Sequence, residues 1–179
     1  MDMRLLVAVL LAGMLAKMPA AQAERTPRRI DAAQWSLPSF RDAHPDLKHR
    51  LLAQQALDAG DYAIAIREFT RAADFGDKLS QAMLAELYLT GEGVAKDLAR
   101  AYAWMDLAAG RGFAPFVGKR ESIWGQLDGT QQSEALQIGA ALYARHGDDV
   151  ALPRLEKRIR RELKRMGGSR TGVANAGSV

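Results

Sequence analysis

The sequence predicts an all-α fold: a right-handed α/α solenoid of two to three helix-pair repeats, followed by a basic amphipathic helix. Three observations carry that expectation. A pattern of acid, bulky apolar, alanine and glycine positions returns after 36 residues, and a fixed period in the thirties without strand signals marks stacked helix pairs. Within each unit the apolar residues recur at helical spacing. Positive charge gathers at the C-terminal end, where eight bases face two acids from Ala151 onward.

The first element is not part of the fold. Met1 to Arg4 carries positive charge, Leu5 to Ala16 is apolar but for Gly13, and Lys17, Pro19 and Ala21-Gln22-Ala23 follow before Glu24. That order is a secretory signal over residues 1–23 with cleavage between Ala23 and Glu24; the apolar run is short against the ~20 residues that span a bilayer. The chain is therefore expected to be exported, periplasmic in a Gram-negative source and otherwise secreted. It has no cysteine, so no disulfide, thiol nucleophile, Cys-based zinc site or lipoprotein anchor is available. Residues 24–45 lack periodicity and read as an extended leader, with Trp35, Leu37 and Phe40 laid against the body.

Residues 46–150 form the expected repeat domain. Leu47, Leu51, Leu52 and Ala56 recur at helical spacing up to Gly60. Asp61 then caps a second helix carrying Ile64, Ala65, Phe69, Ala72 and Ala73, which ends at Gly76. Thirty-six residues on, Asp97, Ala101, Met105, Ala108, Ala109 and Gly112 stand at the matching positions. The lead-in helices are read in the same register, Leu51 with Leu87 and Ile123, and Leu52 with Tyr88 and Trp124. Small residues let paired helices approach, and Leu84, Leu87, Tyr88, Trp104 and Met105 fill the space between pairs.

Gly91-Glu92-Gly93-Val94 joins the two helices of the middle pair. A phosphate-cradling loop needs a preceding strand, a third glycine or a Gly-Lys-Ser/Thr. Helix precedes this one, and Glu92 would repel a phosphate, so the segment reads as a hinge. The whole unit, Ala82-x-x-x-Glu86-Leu87-Tyr88-x-x-Gly91-x-Gly93-Val94-x-x-Asp97-x-x-x-Ala101-x-x-Trp104-x-x-x-Ala108-Ala109-x-x-Gly112, resembles a Sel-one-like repeat (SLR), a relative of the tetratricopeptide repeats. The preceding unit keeps its back half and lacks the Gly-x-Gly hinge. The following unit departs at Pro115, Lys119 and Arg120, as a capping repeat would. The resemblance implies a non-enzymatic scaffold that binds a protein or peptide on its front helices, where Gln81, Met83 and Glu86 are expected to be exposed contacts.

Asp128-Gly-Thr-Gln131 starts a further helix through a capping box, expected to be the back helix of a third pair ending near His146-Gly147. After Pro153 comes the basic helix, 151–167, with Leu152, Leu155, Ile159, Leu163 and Met166 in one stripe and Arg154, Lys157, Arg158, Arg161, Lys164 and Arg165 around it. Residues 168–179 read as a disordered tail. The stripe could cap the stack, lie on an anionic membrane, or meet an acidic partner; export and the absence of aromatics there argue against nucleic acid. The alternative function is accordingly a cell-envelope tether or enzyme-accessory protein, acting through this helix at an anionic surface or cell-wall glycan.

Catalytic chemistry finds no support. His44, His49 and His146 have neither a nucleophile-elbow serine nor the i, i+4 spacing of a zinc pair. His146 reads as a helix-end charge, and Asp148-Asp149 falls short of a calcium loop. No cofactor, metal or small-molecule substrate is expected.

Overall fold

In a computed structural model of the chain, residues 38–168 are described. The expected signal with its Ala23–Glu24 junction, residues 24–37 of the leader and residues 169–179 of the tail lie outside them. The described residues form eight helices and no strand: α1 Pro38–Ala43, α2 Pro45–Asp58, α3 Tyr62–Ala73, α4 Lys78–Thr90, α5 Leu98–Ala109, α6 Ala114–Trp124, α7 Gly129–His146 and α8 Asp148–Gly168.

Each boundary has a local cause. Pro45 opens α2, where its fixed φ suits the first turn and its missing N–H is no loss. Asp61, Asp77 and Asp97 cap α3, α4 and α5, their carboxylates accepting the N–H of Ile64, Ser80 and Arg100. Asp128 and Gln131 form the capping box of α7. The back helices α3 and α5 repeat 36 residues apart from first residue to last, caps included. The period in the sequence is thus a period in space.

α2 packs on α3, α4 on α5, and α5 also receives α6 and α7. One core runs through the stack: Ala53, Ala65, Phe69 and Ala73 of the first pair, Leu84, Ala85, Leu87, Trp104, Met105, Leu107 and Ala108 of the second, and Ile123 of α6. Alanines at the crossings set the close helix spacing, and larger side chains fill the gaps between pairs. A satellite cluster of Ala99, Leu127 and Ala135 closes the far end, with Tyr102 and Trp124 rings 4.6 Å apart beside it.

Four expectations need correction. First, the segment read as an extended leader contains α1, and α2 starts within it at Pro45. Second, the lead-in register fails in the first pair. The α2–α3 hinge is shorter than the α4–α5 hinge, so the helix ends Asp58 and Thr90 correspond instead. Ala53 then matches Ala85, both fully buried, and Leu52 matches Leu84. Leu84 is 1% exposed and Leu52 is 40% exposed, because among the described residues no earlier pair covers α2. Third, α7 lays itself along α5 in preference to folding back on α6. Fourth, the basic helix begins at Asp148 and carries Pro153 inside it. It packs on both α7 and α1, so it is a strap from the last helices to the first.

The hinge supplies a direct test. Gly93 has φ +71°, and a Cβ there would lie 2.1 Å from Tyr62 Cβ at the start of α3. Gly112, at φ +73°, has open space around it. Gly112→Ala is expected to cost only the left-handed strain, about 1–2 kcal/mol. Gly93→Ala adds a clash with a packed neighbour and is expected to cost about 2–4 kcal/mol. Urea unfolding of the two variants checks the difference; equal losses would mean that the hinge does not seat on Tyr62.

Candidate interaction surfaces

Electrostatics concentrate where α3, α4, α5, α7 and α8 meet. Asp74 follows the last residue of α3, a helix C-terminus that disfavours a carboxylate. Cations from the strap side compensate. Arg145 Nε donates to its Oδ1 at 3.1 Å, and the Arg154 guanidinium stands 3.9 Å from the same oxygen. Arg154 also donates to the Asp74 backbone carbonyl. His146 Nδ1 lies 3.1 Å from Oδ1, off the line of a good hydrogen bond. Burial pushes the Asp74 carboxyl up, but His146 and Arg145 outweigh it and hold the pKa at about 2.

Beside it, Asp148 opens α8 and accepts from Arg111 Nε at 2.8 Å and Lys78 Nζ at 3.1 Å. Arg111 is the chief cause holding the Asp148 carboxyl below its ordinary range. Asp148 is thus neutralised by two cations rather than open to a metal. Arg111 also donates to the Gly76 carbonyl at 3.1 Å, and Lys78 to that of Leu107 at 2.8 Å. His146, read from sequence as a helix-end charge, is buried against Trp104 with ring centroids 5.0 Å apart.

A second joint fastens the first pair. Glu68 of α3 is buried and takes His49 Nδ1 at 2.7 Å and Arg71 at 2.8 Å. Burial raises this carboxyl, and hydrogen bonds from His49 and Arg67 reverse the shift, so it lies below its ordinary value. Arg50 reaches across to Asp77 at 2.8 Å, tying α2 to the start of α4. In the sequence His49 reads only as a histidine without catalytic partners, and its pairing with Glu68, like that of Arg50 with Asp77, spans 19 and 27 residues and carries no local signal.

The repeat-signature residues behave as structural positions. Ala82, Leu87, Ala101, Trp104, Ala108 and Ala109 are buried, Tyr88 is half-buried, and Asp97 caps α5. Gly91, Gly93 and Gly112 adopt positive φ. The front-helix contacts divide. Gln81, expected to be exposed, is fully buried: its Nε2 donates to the His146 carbonyl at 3.3 Å. Met83 is half-buried beside the core, and Glu86 is half-exposed with Lys119 Nζ of α6 at 3.0 Å. The outward stripe of α4 is therefore Leu79, Met83, Glu86 and Thr90, with Leu79 51% exposed. Leu51 of α2 and Phe113 at the head of α6 are also exposed apolar residues.

On α8, Ala151 is buried, and Leu152, Leu155 and Ile159 are half-buried. Leu163 and Met166, read as part of the same apolar stripe, are exposed, and Glu162 is buried beside them between Arg158 at 3.5 Å and Arg165 at 3.4 Å. Arg154 and Arg158 do not point freely to solvent, since Arg158 Nε donates to the Asp42 carbonyl of α1 at 2.9 Å. Lys157, Arg161 and Lys164 are exposed as expected. Among the described residues no His, Cys, Asp and Glu group is placed to hold a metal ion.

No protein-family profile matches the sequence, and no curated protein matches it. Among solved structures, the chain is similar to the crystal structure of c5321, a protective antigen present in uropathogenic Escherichia coli strains that displays an SLR fold. The TM-score is 0.54 at 21% sequence identity, covering 78% of this chain and 27% of that one. This chain thus spans about a quarter of the antigen's length. The likeness establishes the fold: an SLR-type α/α solenoid, as the residues from Ala82 to Gly112 imply.

The Asp74 junction gives a pH prediction. Its folded pKa is depressed, so its contribution is complete above the unfolded value near 3.8 and is lost as pH falls through about 2. Discounted for solvent screening, that contribution is roughly 1–2 kcal/mol. Asp74→Asn is expected to destabilise by that amount at neutral pH, and the gap to the parent is expected to close towards pH 2. Urea unfolding across pH checks it; a gap that persists at low pH would place the effect outside the carboxylate's charge.

Proposed function

We propose that this SLR-fold chain is an exported, non-enzymatic scaffold that recognises a protein or peptide on its front helices. The observation that supports it most is the outward stripe of α4. Leu79, Met83, Glu86 and Thr90 occur at one-face spacing, with Leu79 and Thr90 exposed and Met83 and Glu86 half-exposed, apolar in the first half and polar in the second. Leu51 of α2 and Phe113, the residue before α6, are further exposed apolar side chains. Stacked helix pairs present such faces as extended binding surfaces, and a mixed stripe offers both apolar anchoring and polar selection. Of the stripe's four residues only Glu86 forms an ion pair, with Lys119 of α6 at 3.0 Å, while Asp74 and Asp148 draw their cations at the junction with α8. The signal-like segment at residues 1–23 supports export, to the periplasm if the source is Gram-negative.

The test is cross-linking and affinity capture from the native envelope with matched variants. Leu79→Glu combined with Glu86→Lys alters the stripe at an exposed and a half-exposed position. The proposal expects one dominant protein, captured by the parent, to be lost at least tenfold with this variant and kept when Lys157, Arg161 and Lys164 are changed to Gln. Capture that ignores the stripe variant and disappears with the lysine and arginine changes would move recognition to α8.

A further inference from the structure

We propose that the outward flank of α8 docks the protein peripherally on an anionic lipid surface. This goes beyond the front-face reading and does not depend on it. The strap is locked in rotation. Ala151, Leu155 and Glu162 turn inward, Arg158 is bonded to the Asp42 carbonyl at 2.9 Å, and Arg154 is bonded to that of Asp74. The opposite flank must then face solvent. It carries Lys157, Arg161 and Lys164 at i, i+4 and i+7, with Arg160 beside them, all four exposed. Lys157, Arg161 and Lys164 form no ion pair among the described residues. Arg160 pairs with Glu156 at 3.1 Å through two largely exposed side chains, a contact that a stronger field opens readily.

The charge of this flank selects its occupant. The cations stand in a row along one exposed flank of a single helix and line an open cleft beside Pro153, and the flank has no aromatic side chain to stack on bases. A row of this kind matches a plane of negative headgroups. The apolar stripe that an inserting amphipathic helix would bury is already half-covered by α1 and α7. No described helix is long and apolar enough to cross a membrane. The contact is therefore electrostatic and superficial, with exposed Leu163 next to the row as its one apolar addition. Orientation follows from charge. The capping carboxylates Asp61, Asp97 and Asp128 mark the N-terminal ends of α3, α5 and α7, whereas Asp74 and Arg145 at the C-terminal ends of α3 and α7 meet Arg154 of the strap. The acidic ends are repelled while the basic flank is drawn in.

Each base near an anionic surface contributes about fivefold in binding, so three neutralisations are expected to weaken it on the order of 100-fold. The experiment is vesicle co-sedimentation of the full chain beside Lys157→Gln/Arg161→Gln/Lys164→Gln, with far-UV circular dichroism confirming that both are folded. The expected result is binding to mixed phosphatidylglycerol–phosphatidylcholine vesicles, falling about 100-fold in the triple variant. Binding is also expected to vanish near 1 M salt, where the Debye length is ~3 Å. Equal binding by parent and variant, or salt-insensitive binding to phosphatidylcholine alone, would overturn the proposal. Failure to bind either vesicle while polyglutamate captures the parent and not the variant would also overturn it, assigning the flank to an acidic protein.

Discussion

The constraint on which the rest depends is the Asp74 carboxylate at the C-terminal end of α3. Standing alone, a negative charge there opposes the helix dipole and loses solvation on burial. It is tolerable because Arg145, His146 and Arg154 converge on it from the end of α7 and the start of α8. The first pair's back helix is thereby fastened to the last two helices of the chain. Since α8 continues to α1, where Arg158 meets the Asp42 carbonyl, the strap joins both ends of the stack. A short repeat array has only nearest-neighbour interfaces to hold it together; this one adds a long-range tie.

The same tie separates the molecule's surfaces by role. Polar bonding is spent on the edge where the back helices end, through Asp74, Asp148, Arg111 and Lys78. Lys78 shows the cost: burial lowers its pKa, and its bonds to Asp148 only partly offset that. The outward stripe of α4 takes little part, apart from the Glu86–Lys119 contact at 3.0 Å. The outward stripe of α4 and the outer flank of the strap can therefore be altered independently, because they share no side chain.

What the sequence revealed was what local chemistry determines. The caps Asp61, Asp97 and Asp128, the hinge glycines and the small residues of the back helices each act on their own few neighbours, so their spacing is readable. The short α2–α3 hinge broke the register that carried Leu51 onto Leu87, since a change of about one turn keeps the face but moves the depth. Gln81 was legible only as a polar residue on a front helix; its burial depends on a carbonyl in α7, 65 residues away. The stripe on α8 announced an apolar face, not what covers it. Its inner face is completed by Glu162, a charge that burial excludes unless partners such as Arg158 and Arg165 are at hand.

Hydrogen exchange of the folded chain with Asp74 changed to Ala tests this account most directly, because local opening reports which segments one residue holds down. If Asp74 fastens the strap, amides of α8 and α1 lose about 10- to 100-fold of their protection, while those of α4 and α5 keep theirs. Unchanged protection in α8, or a uniform loss across all the helices, would contradict it.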